Sequence, residues 1–137
     1  EAEQGGIDEH ARQLLADGES QSAGRMTTYI NAIQPLTDLY DGFFVHSRGD
    51  RMTPIARDQP AVTGARIRTD QRAPTLVVLT ETDVRNNLAS KQDDSDRYRR
   101  WEIAGSAHVD NYDLSILAGT DPQELIENRS AAKESAG

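Results

Sequence analysis

The sequence contains no cysteine, few aromatic residues and a clear deficit of positive charge. Only 5% of its 137 residues are aromatic, and 15 basic residues stand against 23 acidic ones, for a formal net charge of −8. Without thiols the chain has no disulfide framework, no thiolate zinc site and no cysteine nucleophile. An acidic chain also lacks the basic stripe that a nucleic-acid surface needs. No apolar run approaches the roughly 18 residues that span a membrane. We therefore expect no nucleic-acid partner and no membrane span.

A chain of 137 residues fits one domain with a modest core. It opens on Glu1 rather than Met and has few residues before the first predicted strand, so we expect either a fragment of a longer domain or a reduced domain. The polar ends, 1–6 and 128–137, are expected to be flexible. Segment 51–73 has little periodicity, and a stretch of that length is expected to be either a lid or a long crossover. Composition indicates neither the oligomeric state nor the cellular compartment.

Four short runs have the composition of strands, at 13–17, 42–46, 75–79 and 98–104. The second is almost continuously apolar, which is typical of a strand covered on both faces. Helical patterns are predicted at 21–33, ending before Pro35, and at 83–91, with shorter ones near 7–15, 113–117 and 121–126. Strands alternating with helices predict an α/β fold, a mostly parallel sheet of about four strands with crossover helices. Trp101 is expected to pack against a helix.

The run Gly18-Glu19-Ser20-Gln21-Ser22 lies between the first strand and a helical pattern. Strand, tight turn and helix form the context that a nucleophile elbow requires, in which a strained turn projects a serine hydroxyl above the sheet. Gly18 leaves room for that turn, because it has no Cβ. The preceding Asp17 needs a partner or solvent, since an unpaired buried carboxylate is costly. A short Gly-Ser run also occurs in ordinary loops, so the pentapeptide needs support from elsewhere.

Side chains that can do acid–base chemistry follow two other strands. Glu81 and Asp83 come after the third strand, and His108 comes after the fourth. Chemistry gathers at the carboxyl ends of strands in an open α/β sheet, and the order Ser, acid, His is that of α/β-hydrolases. His46, after the second strand, is interpreted mainly as a structural residue. A metal site drawn from His10, His46, His108 and several acids is disfavoured, because no pair has metal-ligand spacing beyond His108-x-Asp110. We expect no metal and no cofactor.

From about Leu14 to Asp110 the chain resembles the C-terminal half of the α/β-hydrolase fold. The quoted elbow and three further runs carry the resemblance: Tyr40-Asp41-Gly42-Phe43-Phe44-Val45-His46-Ser47-Arg48-Gly49, Glu81-Thr82-Asp83, and Trp101-Glu102-Ile103-Ala104-Gly105-Ser106-Ala107-His108. The last of these is similar to a little-characterised bacterial family called the alpha/beta hydrolase domain family. The fold implied is a partial α/β-hydrolase fold.

The resemblance implies a role for each of these residues. Ser20 would attack an acyl carbonyl, His108 would carry its proton, and Asp83, with Glu81 as the alternative acid, would orient the imidazole. The backbone N–H of Gln21 would be one oxyanion donor. The implied activity is a serine hydrolase of esterase type acting on a small-molecule ester. The second oxyanion donor is not visible, so weak or no activity is expected of this chain alone.

Two other functions fit the same residues. A non-catalytic α/β-hydrolase-like domain would keep the side chains without a working site. An acyltransferase would use the same three side chains and pass the acyl group to an acceptor other than water.

Overall fold

The computed structural model describes residues 12–109, together with Gly119 and Asp121. Within that part of the chain, strands and helical segments alternate. In chain order they are β1 (Leu15–Glu19), α1 (Ser20–Thr28), a π-helical turn (Tyr29–Ile33), α2 (Gln34–Thr37), β2 (Gly42–His46), β3 (Thr75–Thr80), α3 (Glu81–Val84), a 3₁₀ helix (Arg85–Ser90) and β4 (Tyr98–Ile103). The predicted helices near 7–15, 113–117 and 121–126 and the predicted flexible ends lie wholly or largely outside the described residues.

The four strands form one sheet in the order β1-β2-β3-β4, and every neighbouring pair is parallel. This confirms the predicted fold class. Parallel strands end at the same edge of a sheet, so the residues that follow β1, β3 and β4 come out on one rim. The topology thereby brings together segments that are distant in sequence.

The connections lie on one face of the sheet, and the other face is open among the described residues. Right-handed crossovers between sequentially ordered strands all return on the same side. The buried core lies on that side: Ala16, Ala23, Ile30, Phe43, Val45, Ile67, Ala73, Val77, Leu79 and Tyr98. On the opposite side, Phe44 is 38% exposed, so the prediction that β2 is covered on both faces is wrong. The near-continuous apolar run of β2 therefore has one face buried in the core and one face partly exposed to solvent.

The open face holds a groove of about 460 Å³ that Leu15, Phe44, Leu76 and Trp101 help to line. Trp101 is 60% exposed there, so the prediction that it packs against a helix is wrong. Its position on β4 places it on the side of the sheet that the described helices do not cover. In the part of the chain described, no helix is both long enough and apolar enough to cross a membrane.

Helical structure after β1 continues past the point where the sequence predicted its end. Pro35 lies in the first turn of α2, where a proline is tolerated because its missing N–H would have no intrahelical acceptor. The π-helical turn joins α1 to α2. Helical structure stops instead at Asp38, which adopts the left-handed conformation with φ of 43°. The predicted stop before Pro35 is therefore wrong.

The helix predicted at 83–91 begins two residues earlier in the structure and passes from an α-helix into a 3₁₀ helix. It starts at Glu81 as α3 and continues from Arg85 as a 3₁₀ helix that ends at Ser90. Thr80 caps α3 in a capping box, in which its side chain accepts from the backbone N–H of Asp83 and its own N–H donates to the Asp83 carboxylate. The Thr80 hydroxyl also donates to that carboxylate. The cap fixes the start of the helix immediately after β3.

Segment 51–73 has little regular structure but is fastened to the rest of the fold. The N–H of Thr53 donates to the carbonyl of Gly24 at 3.2 Å. A Cβ on Gly24 would lie 3.1 Å from the Thr53 hydroxyl oxygen, so the missing side chain lets the segment pack directly on α1. The buried Arg48 guanidinium donates to the carbonyl of Ala65 at 2.6 Å, and burial lowers the pKa of this group below its usual value. The segment is thus attached at both α1 and the end of β2.

Candidate active site

The site begins where β1 passes into α1 without an intervening loop. Ser20 is the first residue of α1, directly after the last strand residue, Glu19. Its φ is 51°, in the left-handed region that a non-glycine residue adopts only at a cost. The strand was predicted at 13–17, and it extends two residues further, to Glu19. The turn is therefore concentrated at Ser20 itself, which is exposed at the rim of the sheet.

Gly18 allows α1 to start this close to β1. A Cβ at Gly18 would lie 3.1 Å from the Met26 Cβ and 3.2 Å from the Ser22 carbonyl oxygen. Both distances are tighter than ordinary packing, and one of the neighbours is backbone that cannot rotate away. Helix and strand therefore approach each other closely behind Ser20, as the elbow interpretation of the sequence expected.

Three side chains from three strand ends form a hydrogen-bonded chain on the rim. The Ser20 Oγ lies 2.9 Å from the His108 Nε2, and the His108 Nδ1 lies 2.6 Å from the Asp83 Oδ1. A carboxylate only accepts hydrogen bonds, so Nδ1 carries the proton and Nε2 is free to accept from the serine hydroxyl. This is the arrangement in which an imidazole can act as a base towards a hydroxyl.

The three hydrogen-bonded side chains of Ser20, His108 and Asp83 differ in their exposure to solvent. The Asp83 side chain is only 7% exposed, whereas that of His108 is 33% exposed. The second carboxylate oxygen of Asp83 accepts from the Thr80 hydroxyl at 2.6 Å and from the Thr80 N–H at 3.3 Å. A buried carboxylate with both oxygens hydrogen-bonded has a fixed orientation. The Ser20 hydroxyl, by contrast, remains open to solvent.

Glu81, the alternative acid, is directed elsewhere. Its carboxylate accepts from the N–H of Gly105 at 2.6 Å, and Gly105 has a φ of 75° in the turn after β4. The carboxylate hydrogen-bonded to the His108 ring belongs to Asp83. Of the two acids that the sequence offered as partners of His108, Asp83 contacts the imidazole ring and Glu81 contacts the backbone of the turn after β4.

The N-terminus of α1 provides a place for developing negative charge. Among the described residues, no side chain caps this helix. The first N–H groups of a helix have no intrahelical acceptor and lie at the positive end of its dipole. The N–H of Gln21 is one of them, and it directly follows Ser20 in the chain.

His46 lies one strand away and has its own partners. Its Nε2 is 3.3 Å from the Asp17 Oδ1, and its ring stacks on Phe44 with 4.9 Å between centroids. Asp17, in the middle of β1, has an exposed side chain that lies beside His46, so its carboxylate is not an unpaired buried charge. In residues 12–109 no group of three or more metal-ligating side chains is positioned to hold an ion; His10 lies outside that range.

Sequence reasoning missed two threonines at the site, Thr80 and Thr82. The Thr80 hydroxyl donates to Asp83, and the Thr82 hydroxyl accepts from the N–H of His108 at 2.8 Å. The signal for Thr80 was present in the sequence, because Thr80-Glu81-Thr82-Asp83 matches the capping-box pattern of a threonine followed three residues later by an acid. The role of Thr82 needed the position of the turn after β4, which the sequence did not provide.

A comparison with protein families identifies a related family. A family model described as an alpha/beta hydrolase domain matches residues 5–136. This covers most of the chain and confirms the family resemblance inferred from the sequence. No curated protein and no solved structure matches the chain.

Proposed function

We propose that this chain, which belongs to the alpha/beta hydrolase domain family, is a serine-dependent hydrolase of carboxylic esters. The observation that supports the proposal is the hydrogen-bonded order of Ser20, His108 and Asp83, with distances of 2.9 and 2.6 Å between successive side chains. Each residue follows a different parallel strand, so their convergence requires the whole sheet. The proposed substrate is a small-molecule ester, and the proposed reaction needs no cofactor.

The proposed first step forms an acyl-enzyme. The His108 Nε2 takes the proton of the Ser20 hydroxyl while the Ser20 Oγ attacks the carbonyl carbon of the ester. The negative charge that develops on the carbonyl oxygen is stabilised by the N–H of Gln21 at the start of α1. The imidazolium is stabilised by Asp83, which stays ionised. Collapse of the intermediate breaks the bond to the alcohol, which leaves with the proton held by His108.

The proposed second step uses water. His108, neutral again, takes a proton from a water molecule as that oxygen attacks the acyl carbon. The bond to the Ser20 Oγ breaks, the serine recovers its proton from His108, and the carboxylic acid leaves. The exposed Ser20 and the half-buried His108 leave one side of the site accessible to substrate and to water.

The direct test uses an activated aryl ester and a fluorophosphonate probe that reacts with nucleophilic serines. The unmodified chain should be labelled at Ser20, and Ser20→Ala should lose both labelling and ester hydrolysis. The matched control is Ser106→Ala, which removes a nearby exposed-turn hydroxyl that donates to the carbonyl of Ile103 at 2.6 Å. We expect the control to keep its labelling at Ser20.

Two results would count against the proposal. If the folded chain is not labelled, it is a non-catalytic domain that retains the side chains alone. If added alcohols or thiols take the acyl group faster than water does, the chain is an acyltransferase. Turnover is expected to be slow, because Gln21 is the one oxyanion donor we identify among the described residues, and lacking a second donor costs on the order of 10²–10³ in rate. Labelling is therefore the more sensitive readout.

A further inference from the structure

We propose that Glu81 and Thr82 are positioning residues, which hold the turn after β4 against α3 so that the His108 ring reaches both Ser20 and Asp83. This inference rests on the proposed function. It assigns a role to the acid that the sequence left as an alternative, and to a threonine that the sequence did not single out. We define the clamp as the two side chains of Glu81 and Thr82 with the two backbone N–H groups that they accept from.

The clamp consists of two short hydrogen bonds, which join residues that are 26 and 24 positions apart in the sequence. The N–H of His108 donates to the Thr82 Oγ1 at 2.8 Å, and the N–H of Gly105 donates to the Glu81 Oε2 at 2.6 Å. One bond fixes the backbone of the residue that carries the imidazole. The other fixes the start of the turn, at a glycine with φ of 75°.

Three consecutive residues therefore contact the His108 turn from one side. Glu81 and Thr82 hold its backbone, and Asp83 holds its ring. All three belong to the first turn of α3, whose start is fixed by the capping box at Thr80. The Thr82 hydroxyl lies 3.1 Å from that of Thr80, so the hydroxyl that accepts from His108 is itself oriented by the cap.

The turn has few other means of staying in place. The residues from Ala104 to Val109 are exposed or half-exposed, so apolar burial does little to fix it. The Ser106 hydroxyl donates to the carbonyl of Ile103, the last residue of β4, so this contact joins the turn to its own strand and not to α3. Since a displacement of about 1 Å can cost roughly 100-fold in rate, hydrogen bonds from α3 are well placed to control the reactivity of Ser20.

The two roles available to Glu81 make different predictions. A positioning carboxylate is replaceable by an amide, because the side-chain oxygen of glutamine can accept from the N–H of Gly105. A triad acid is not, since the neutral amide leaves the imidazole in the wrong tautomer and lowers kcat by about 10⁴-fold. Glu81→Gln is therefore the conservative variant, and Glu81→Ala is the disruptive one. For Thr82 the corresponding pair is Thr82→Ser and Thr82→Val.

The experiment combines amide hydrogen exchange with the rate of Ser20 labelling by the fluorophosphonate probe, using the 137-residue chain. Thr82→Val should speed exchange at the His108 amide and Glu81→Ala at the Gly105 amide, with exchange in β3 and β4 unchanged. Both variants should slow labelling by roughly 10- to 100-fold. Thr82→Ser and Glu81→Gln should remain close to the unmodified chain in both measurements. Glu102→Gln, which removes an exposed carboxylate paired with Arg100, is the control and should change neither.

Other outcomes overturn the inference, and they separate it from the proposed function. If the two amides exchange faster and labelling is unchanged, the clamp exists but does not position His108. If Glu81→Gln loses labelling as completely as Asp83→Asn, Glu81 acts as a triad acid. If the unmodified chain is not labelled at all, the proposed function fails and this inference fails with it.

Discussion

At the scale of single residues, the site depends on backbone positions that few side chains tolerate. Ser20 has a φ of 51°, and Gly18 lies where a Cβ would meet both the helix backbone and Met26. The strain at Ser20 is sustained by the packing of strand against helix around it. Gly18 and Ser20 therefore work together, one by allowing the close approach and the other by turning the chain.

Gly18→Ala tests this arrangement without touching a proposed catalytic group. The added methyl has to displace the backbone of α1, and overpacking of this kind costs about 1–3 kcal/mol. Unfolding in urea should show that loss as a lower midpoint at the same slope. Gly49→Ala is the matched control, because a Cβ there meets nothing within 4 Å. Equal stability of the two variants would mean that the elbow is not tightly packed.

At the scale of elements, the sequence predicted what depends on local composition. The run at 42–46 coincides with β2, and that at 75–79 is one residue shorter than β3, because each is a block of apolar residues between turns. The α1–α2 region was predicted less well, since a proline can end a helix or start the next one. Which faces of the strands are covered depends on strand order, which the local composition of a strand does not reveal.

The start of β1 depends on an ion-pair and hydrogen-bond cluster just before β2. Asp41 makes two hydrogen bonds to the backbone of Leu14. Its carboxylate accepts from the Leu14 N–H at 2.9 Å, and its own N–H donates to the Leu14 carbonyl at 2.8 Å. Arg72 adds a bond to the same carboxylate at 2.8 Å. The backbone N–H and then the guanidinium hold the pKa of Asp41 below its usual value of 3.8.

This lowered pKa predicts a loss of stability in acid. A carboxyl whose pKa is lower in the folded state stabilises the protein above its unfolded pKa, and that contribution disappears as the pH falls through the folded pKa. Acid unfolding of Asp41→Asn should therefore depend less on pH below about 4 than that of the unmodified chain. Asp93→Asn, at an exposed position in the turn before β4, is the control. Parallel pH dependences for Asp41→Asn and the unmodified chain would contradict the prediction.

At the scale of the whole molecule, the candidate site is a product of topology. Ser20 and His108 are separated by 88 positions in the chain and still lie within hydrogen-bond distance. Parallel strands with their carboxyl ends on one rim account for this, and the order of Ser, acid and His along the chain follows from the strand order. Because the sequence contains that order, it was enough to predict that these three side chains would lie at one rim of the sheet. The clamp by Glu81 and Thr82 was not predictable, because it depends on the path of an exposed turn.

The central claim is that His108 activates Ser20 as a nucleophile. The measurement that tests it most directly is the rate of fluorophosphonate labelling, with the labelled residue identified by peptide mass spectrometry, in the unmodified chain and in His108→Gln. We expect Ser20 to be labelled in the unmodified chain, and the rate to fall by about 10²–10⁴-fold in the variant, the usual contribution of a general base. Labelling of Ser20 at the same rate in both proteins, or labelling confined to other serines, would contradict the claim.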